Sequence, residues 1–373
     1  MSTILYITPK LPVKKTEISY SFITEELRAL KEYGHIRSHV LEIDYRKPFI
    51  TMSQLTRFLS LSDSVQLIHA HFVVPYGFLA TVIARAIHKP LIVTVHGFDI
   101  LVNDELSYGI NRFTPLKSLT KYVLQKASKV IANSTCLRNE CIKYGIDPSK
   151  IEVIPFGVDL HVFRPIGLDK LKMPIFLEEL VRKKNDCVII LCAKRLEKIY
   201  GIEYLLKAAK ILKSRTTKNF LLVLLGGKMI KDYLILVRRL GLCENVMLVG
   251  IMPRSVMPFL YNISDFTVVP SLVEGFGLVV AESLACGRPV IGSRVGGIMD
   301  QIVDGYNGYL VPAKDPLSLA NRMQILIEDN SLREKMSRNA RIYAETNLDL
   351  IKRVDRLLKI YNEVVDVINK SCR

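Results

Sequence analysis

Short apolar runs rich in β-branched residues alternate with segments of helical period over nearly the whole sequence. Parallel strands need long crossovers and are buried on both faces, so this rhythm specifies parallel sheet covered by helices on either side. In the first half the runs are TILYIT (3–8), HVLEI (39–43), VQLIHA (65–70), LIVTV (91–95), KVIAN (129–133) and IEVIP (151–155). Helical segments lie between them, for example 21–34, closed by a glycine stop at Gly34. From Pro165 to Asp186 the rhythm breaks in a stretch with two prolines, a glycine and many charges. It restarts with CVIILCA (187–193), FLLVLLG (220–226), VMLVG (246–250), FTVVP (266–270), PVIG (289–292) and GYLVP (308–312).

The expected organisation is therefore a doubly wound N-terminal domain over 1–165, a connection over 166–186, a second doubly wound domain over 187–347 and a C-terminal helix over 348–373. In that helix Leu350, Val354, Leu357, Leu358, Ile360 and Val364 form one apolar face, expected to pack across the domains. Two facing domains of this kind leave a cleft where strand ends and helix N-termini converge, which is the expected place of a site.

Composition narrows the function classes. At 49% apolar and 24% charged, the 373 residues form an ordinary globule with room for two or three domains. The 52 basic against 36 acidic residues give a net charge of +16. That excess is spread, with 20 basic and 14 acidic residues up to Arg164 and 32 and 22 after it. With no basic block, no Trp and no aromatic residues interleaved with cations, nucleic-acid binding is set aside. A phosphorylated small molecule or a peripheral contact with anionic lipid remains compatible with the charge. Seven cysteines without CxxC spacing suggest reduced, buried thiols, and no run reaches the ~18 residues of a membrane span. The start carries no export signal, so a cytoplasmic protein is expected, with any membrane contact at the inner face.

The densest motif is PSLVEGFGLVVAESLACGRPVIGSRVGG (270–297). A strand runs into Glu274-Gly275-Phe276-Gly277 and then into a helix, and the two glycines let N–H groups gather at a helix N-terminus, which favours phosphate. Glu282 follows Glu274 by just over two helical turns, so both could face one ligand; a solvated carboxylate behind a glycine-shaped turn would give the same spacing. The pattern GxGxxG is not completed, since Val280 takes the last glycine position, and no GxxxxGK[ST] occurs, which sets aside dinucleotide-dehydrogenase and P-loop readings. No Asp-x-Asp pair ends a strand, so a bound diphosphate is expected to be neutralised by the protein, with no metal and no other cofactor.

CAKRLEKIYG (192–201) brings Lys194, Arg195 and Lys198 into the loop after a strand, where Arg195 offers a bidentate fork and Lys198 a point charge; a solvated basic loop is the bland alternative. In the first half His69 and His71 share a strand face but have no evident third metal ligand. His96 ends a strand ahead of Gly97, placed either to bond a substrate hydroxyl or phosphate or to serve structure. The segment 112–129 is amphipathic, with Lys117, Lys121 and Lys126 beside its apolar positions, and suits a docked surface helix better than a lipid-bound one.

Together these motifs resemble the retaining glycosyltransferases of family 4, which have the GT-B fold of two facing Rossmann-like domains. The similarity covers almost the whole chain. In the second half it rests on Pro270-Ser271, Glu274, Glu282, Gly287, Pro289-Val290, Gly296-Gly297, Asp304-Gly305-Tyr306-Asn307-Gly308, Leu310-Val311-Pro312 and Asp315, with Arg195-Leu196, Gly201, Gly226-Gly227 and Val249-Gly250 upstream. In the first half, Ile68 to Phe72, Pro75-Tyr76-Gly77, Thr94 to Asp99, Asn133-Ser134 and Ile154 to Asp159 are similar to members that build extracellular or capsular polysaccharides.

The resemblance implies an acceptor-binding N-terminal domain and a nucleotide-sugar-binding C-terminal domain. It implies catalytic roles for Glu274, at the donor sugar, and His96, at the reacting centre. Glu282 would contact the ribose, Arg195 and Lys198 the diphosphate, and the backbone of Gly275, Phe276, Gly277 and Leu278 the phosphate. The expected activity is metal-independent transfer of a sugar from a nucleotide-diphosphate sugar to a glycan or lipid-linked acceptor with retention of configuration. A nucleotide-sugar epimerase of the same architecture and a non-catalytic nucleotide-sugar-binding member are the alternatives. Two departures stand out: the first strand-to-helix loop, LPVKKTEISYS (11–21), lacks the family's glycine pair, and Tyr200 replaces the lysine before Gly201.

Overall fold

The computed structural model describes residues 3–11, 20–43, 63–167, 177–227 and 229–371, with side chains as far as 367. All twelve expected runs are strands: β1 (Thr3–Pro9), β2 (Arg37–Ile43), β3 (Leu67–His71), β4 (Leu91–Val95), β5 (Lys129–Ala132), β6 (Ile151–Val153), β7 (Val188–Cys192), β8 (Phe220–Leu225), β9 (Val246–Gly250), β10 (Phe266–Val269), β11 (Val290–Ser293) and β12 (Gly308–Val311). They form two parallel sheets of six strands, in the orders β2-β1-β3-β4-β5-β6 and β12-β11-β10-β7-β8-β9. The most continuous apolar runs are buried end to end, as in β1 and β8, because helices cover both faces.

The chain divides into two compact units, residues 1–157 with 350–373 and residues 158–349. The division at Gly157 falls before the break in rhythm expected at 165. Of the expected connection, 168–176 lies outside the described residues, and the helix Glu178–Lys184 is docked within the second unit through Lys184, whose Nζ donates to Asp265 Oδ1 at 2.8 Å and to the Ile263 carbonyl at 2.7 Å. The final helix, Leu350–Ser371, belongs to the first unit. Leu350, Val354, Leu357, Ile360, Tyr361 and Val364 join one core with Ile4, Tyr6, Leu67, Ile92 and Ile131 of the first sheet, so the apolar face that was expected to bridge both domains is satisfied in one.

Local signals also resolve differently from the sequence reading. Gly34 does not adopt a left-handed conformation; that role falls to His35, at φ 48°. Gly34 is needed for space instead, since a Cβ there would stand 2.8 Å from the Leu30 carbonyl oxygen and 3.3 Å from Leu358. Of the six cysteines among the described residues, all free, only Cys141, Cys192 and Cys286 are buried. The glycine-free loop falls mostly outside the described residues, over 12–19.

Candidate functional site

In the second unit β7 is the first strand in sequence and β10 the fourth, and they pair side by side. Their following loops diverge at the carboxyl edge of the sheet, where doubly wound folds form ligand sites. The loop after β7 carries Lys194, and the loop after β10 carries Ser271 and Glu274. Lys194 Nζ contacts Glu274 Oε2, to which Ser271 Oγ also donates at 3.0 Å. Lys194 is only 8% exposed. Burial alone would lower the pKa of its ammonium, but the Glu274 carboxylate reverses this and raises it above the ordinary lysine value.

Tyr200 lies between two cations, with Lys194 Nζ 5.0 Å and the Arg195 guanidinium 5.6 Å from its ring centre. Its hydroxyl accepts from Arg195 Nη2 at 2.9 Å. The tyrosine thus seats one buried and one exposed cation on the same loop. Arg195 is 62% exposed and lies 3.5 Å from Glu197. Lys198, on the short turn Lys198–Tyr200, faces solvent.

The loop after β10 is held in place by glycines. Gly277 adopts φ 94° and caps the helix Leu278–Ala285, with Gly275 and Phe276 on the approach. Gly296, at φ 50°, passes so close that a Cβ would stand 1.7 Å from the Glu274 carbonyl oxygen. Gln301 Nε2 then donates to the Phe276 carbonyl at 2.6 Å. The backbone from Glu274 to Leu278 is therefore fixed before any ligand arrives, as an anion-binding helix N-terminus requires.

Glu282 is buried inside that helix. Its Oε1 contacts Arg254 Nη1, and its Oε2 accepts from the Tyr261 hydroxyl at 2.9 Å. Burial first, and Glu282 second, push the Tyr261 pKa well above its ordinary value, so the phenol stays a donor. Arg254 in turn lies 5.2 Å over the Phe163 ring. A carboxylate has about four acceptor positions, so Glu282 keeps capacity for a hydroxyl. Glu282→Ala, however, would strand a largely buried guanidinium, at a stability cost of ~3 kcal/mol. Glu282→Gln is the cleaner variant. If Glu282 meets the ribose as the family resemblance implies, the variant should weaken nucleotide binding by about tenfold, read by calorimetry, and binding as tight as wild type would count against that contact.

In the first unit His96 follows β4. Its Nε2 is 3.2 Å from His71 Nδ1, and its ring stacks on Phe72 with centroids 4.0 Å apart. The third metal ligand that sequence spacing did not show is present: Glu26 lies with His69 and His71 in a buried cluster whose ligand atoms fall within 4.8 Å of one another. Several of its atoms are engaged otherwise, while Glu26 Oε1 and His71 Nε2, 3.3 Å apart, make no hydrogen bond. His69 Nδ1 meets the Tyr361 hydroxyl at 2.8 Å and Nε2 the Thr94 hydroxyl at 2.7 Å, and Arg353 Nε donates to Glu26 Oε2 at 2.6 Å. A guanidinium already on the carboxylate opposes a second cation there.

The sequence pattern offers Lys194 but favours Lys198 for the diphosphate. The signal for Lys194 was its place two residues after a strand end, which directs the side chain inward. Arg254, Tyr261, Glu26 and Arg353 carried no local signal, because their partners are 28, 21 and 327 residues away.

The family model described as "Glycosyl transferases group 1" matches residues 177–343, and that described as "Glycosyltransferase Family 4" matches residues 18–162. The D-inositol 3-phosphate glycosyltransferase of Nocardiopsis dassonvillei is 30% identical over 345 residues, 88% of this chain and 77% of that protein. The one from Thermobifida fusca is 30% identical over 351 residues, 89% and 77% of the two chains. Among solved structures, HepE of Anabaena in complex with UDP superposes with a TM-score of 0.78 at 19% identity, over 97% of this chain and 100% of that one. Sucrose-phosphate synthase of Thermosynechococcus elongatus gives a TM-score of 0.76 at 19% identity, over 98% and 100%. Both parallel sheets, the glycine-fixed loop after β10 and the sequence relatives on either side of residue 170 thus lead to one conclusion: the chain is a glycosyltransferase of family 4 with the two-domain GT-B fold.

Proposed function

We propose that the protein transfers a hexosyl group from a nucleotide-diphosphate sugar to a glycan or lipid-linked acceptor with retention of anomeric configuration. The observation that carries this reading is the Lys194–Glu274 pair beside the N-terminus of the helix Leu278–Ala285. A buried ammonium, Arg195 and the backbone at Gly275 to Leu278 are suited to charge developing on a departing diphosphate, and an anion four residues before the first residue of that helix suits the oxocarbenium-like sugar. HepE was solved with UDP-glucose, so uridine nucleotides are the first to test here. A thermal-shift panel of UDP, GDP, ADP and their sugars tests the donor, since a ligand at 100 times its Kd adds about 2.7 kcal/mol of stability. The anomeric NMR signal of the product then reads retention. No stabilisation by any member of the panel would overturn the reading, and conversion of donor alone would indicate an epimerase.

Among the described residues the proposed donor site supplies cations and no paired carboxylates, so EDTA should leave turnover unchanged. Loss on chelation, restored by Mg²⁺ or Mn²⁺, would refute metal-independent transfer.

For the acceptor, the first unit presents a groove of about 700 Å³ lined by Arg112, Lys117, Lys121 and Lys143 among others. The helix Thr114–Lys126 docks through buried Thr120, Val123 and Leu124, while Phe113 beside it is 64% exposed. Among the described residues no helix is long and apolar enough to cross a membrane. A lipid-linked acceptor would thus be met by peripheral, electrostatic contact. Binding to vesicles containing anionic lipid should weaken as salt rises, and salt-insensitive binding to neutral vesicles would contradict this contact.

A further inference from the structure

Glu282 is gripped by two side chains that lie outside the motifs carrying the family resemblance, and both lean on a third. Arg254 stands on the short turn Arg254–Val256 after β9, and Tyr261 on the helix Met257–Ile263 that follows it. Arg254 donates through Nη1 to Glu282 Oε1, and the Tyr261 hydroxyl donates to Oε2 at 2.9 Å. One ring supports both groups. The Arg254 guanidinium lies 5.2 Å over the centre of Phe163, and the Tyr261 ring meets that same ring edge-on with centroids 6.2 Å apart.

Phe163 is in turn tied to the elements that carry this grip. Arg341 Nη1 donates to the Phe163 carbonyl at 3.0 Å and to the Ala285 carbonyl at 2.8 Å, which joins Phe163 to the end of the helix bearing Glu282. Asn262, next to Tyr261, donates to the Arg164 carbonyl at 2.9 Å and accepts from the Ile166 N–H at 2.9 Å. Tyr261 is fully buried and Phe163 nearly so. Neither support moves without breaking hydrogen bonds or opening a cavity, so the Glu282 carboxylate keeps one orientation in the free protein.

The use of its two oxygens decides what else they can accept. A carboxylate offers about four acceptor positions, divided between its oxygens. Arg254 takes one on Oε1 and Tyr261 one on Oε2, and among the described residues nothing else bonds either atom. Each oxygen therefore keeps room for one more donor, which matches two neighbouring hydroxyls better than one. A cis-diol fills both positions. A ligand lacking either hydroxyl leaves an acceptor unmet where only 4% of the side chain is open to water, and sites built on hydrogen bonds reject such analogues strongly.

We propose that Arg254 and Tyr261, braced by Phe163, are positioning residues for Glu282, fixing its oxygens so that the site selects a ribonucleoside diphosphate over its 2′-deoxy and 3′-deoxy forms. The assignment of this diol to the donor nucleotide rests on the transferase reading. The selection acts on binding and not on the transfer step.

Calorimetry with UDP, 2′-deoxy-UDP and 3′-deoxy-UDP, or the same trio on the base that the thermal-shift panel selects, measures the selection. Wild type should bind the ribonucleotide roughly ten- to a hundredfold more tightly than either analogue, because each missing hydrogen bond is one to a charged acceptor. Arg254→Met should weaken the ribonucleotide alone and bring both ratios to within a few-fold of one, and in turnover it should raise donor KM while kcat holds. Arg254→Lys restores the charge and should recover part of the ratios. Tyr261→Phe keeps the ring against Phe163 and should lower them several-fold. Equal losses for all three nucleotides, or parallel falls in affinity and kcat, would mean that the grip serves packing only and would overturn the proposal. So would wild-type ratios in folded Arg254→Met and Tyr261→Phe. If Arg254→Met does not fold, Arg254→Lys and Tyr261→Phe decide. A wild type that binds UDP without regard to the diol overturns the selection and leaves the transferase reading standing, whereas one that binds no nucleoside diphosphate overturns both.

Discussion

Glu274→Gln is expected to lower kcat on the order of a hundredfold while leaving donor KM unchanged or lower, because the variant separates two roles of one carboxylate. In the free protein Glu274 is the counter-ion of Lys194, and its removal leaves a net positive charge beside the N-terminus of the helix Leu278–Ala285. A nucleotide diphosphate should bind that site at least as well. On the proposed transfer, what would be lost is an anion near the sugar, and that loss would be felt only as positive charge develops in the transition state. The amide can still accept from Lys194 and Ser271 Oγ, so the loop keeps its shape. Calorimetry with the donor found by thermal shift, beside steady-state kinetics, separates the outcomes. Equal losses in nucleotide affinity and turnover would make Glu274 a structural counter-ion, and wild-type turnover would remove it from the reaction.

The twelve strands were legible because each is a buried parallel run, and burial on both faces writes itself directly into composition. The loop after β10 was legible for a similar reason: only glycine fits at φ 94° in Gly277 or within 1.7 Å of a backbone oxygen at Gly296, so the constraint appears as residue identity. The partner of the C-terminal helix was not legible. Its apolar face announced packing, but an apolar stripe does not say which sheet it meets, and only the contact with Ile4, Tyr6 and Leu67 settles that it completes the first unit. Gly34 shows the converse error, where a glycine read as a conformational stop serves to admit the Leu358 side chain.

Charged pairs were the least legible part. The ions at 26 and 353, or 254 and 282, each look like ordinary surface residues within their own helices or loops, and become buried pairs only when the sheets bring distant segments together. For such pairs the sequence carries a signal at neither end, since each half satisfies the local pattern of an amphipathic element. Lys194 differs. It stands next to Arg195, and the choice between it and Lys198 turned on which side chain the strand end directs inward.

Lys194→Met should lower kcat/KM by about ten- to a hundredfold, because a charge-assisted contact is worth roughly 1.5–3 kcal/mol. The sequence pattern favours Lys198 for the diphosphate, but Lys198 faces solvent, while Lys194 is buried, charged and packed 5.0 Å from the ring of the tyrosine that occupies the lysine position. Tyr200 also receives Arg195 Nη2, so it supports both cations without adding charge of its own. Lys198→Ala should therefore behave nearly as wild type. Tyr200→Phe should lose only the Arg195 contact, a few-fold effect. Placing lysine at Tyr200 in the Lys194→Met background should recover part of the loss, since the new ammonium starts from the same loop beside Glu274. The readout that isolates the diphosphate is the ratio of UDP to uridine affinity, or the matching pair for another base, which Lys194→Met should compress and Lys198→Ala should not. A compressed ratio in Lys198→Ala with an intact one in Lys194→Met would return the role to Lys198 and leave Lys194 as the partner that shapes Glu274.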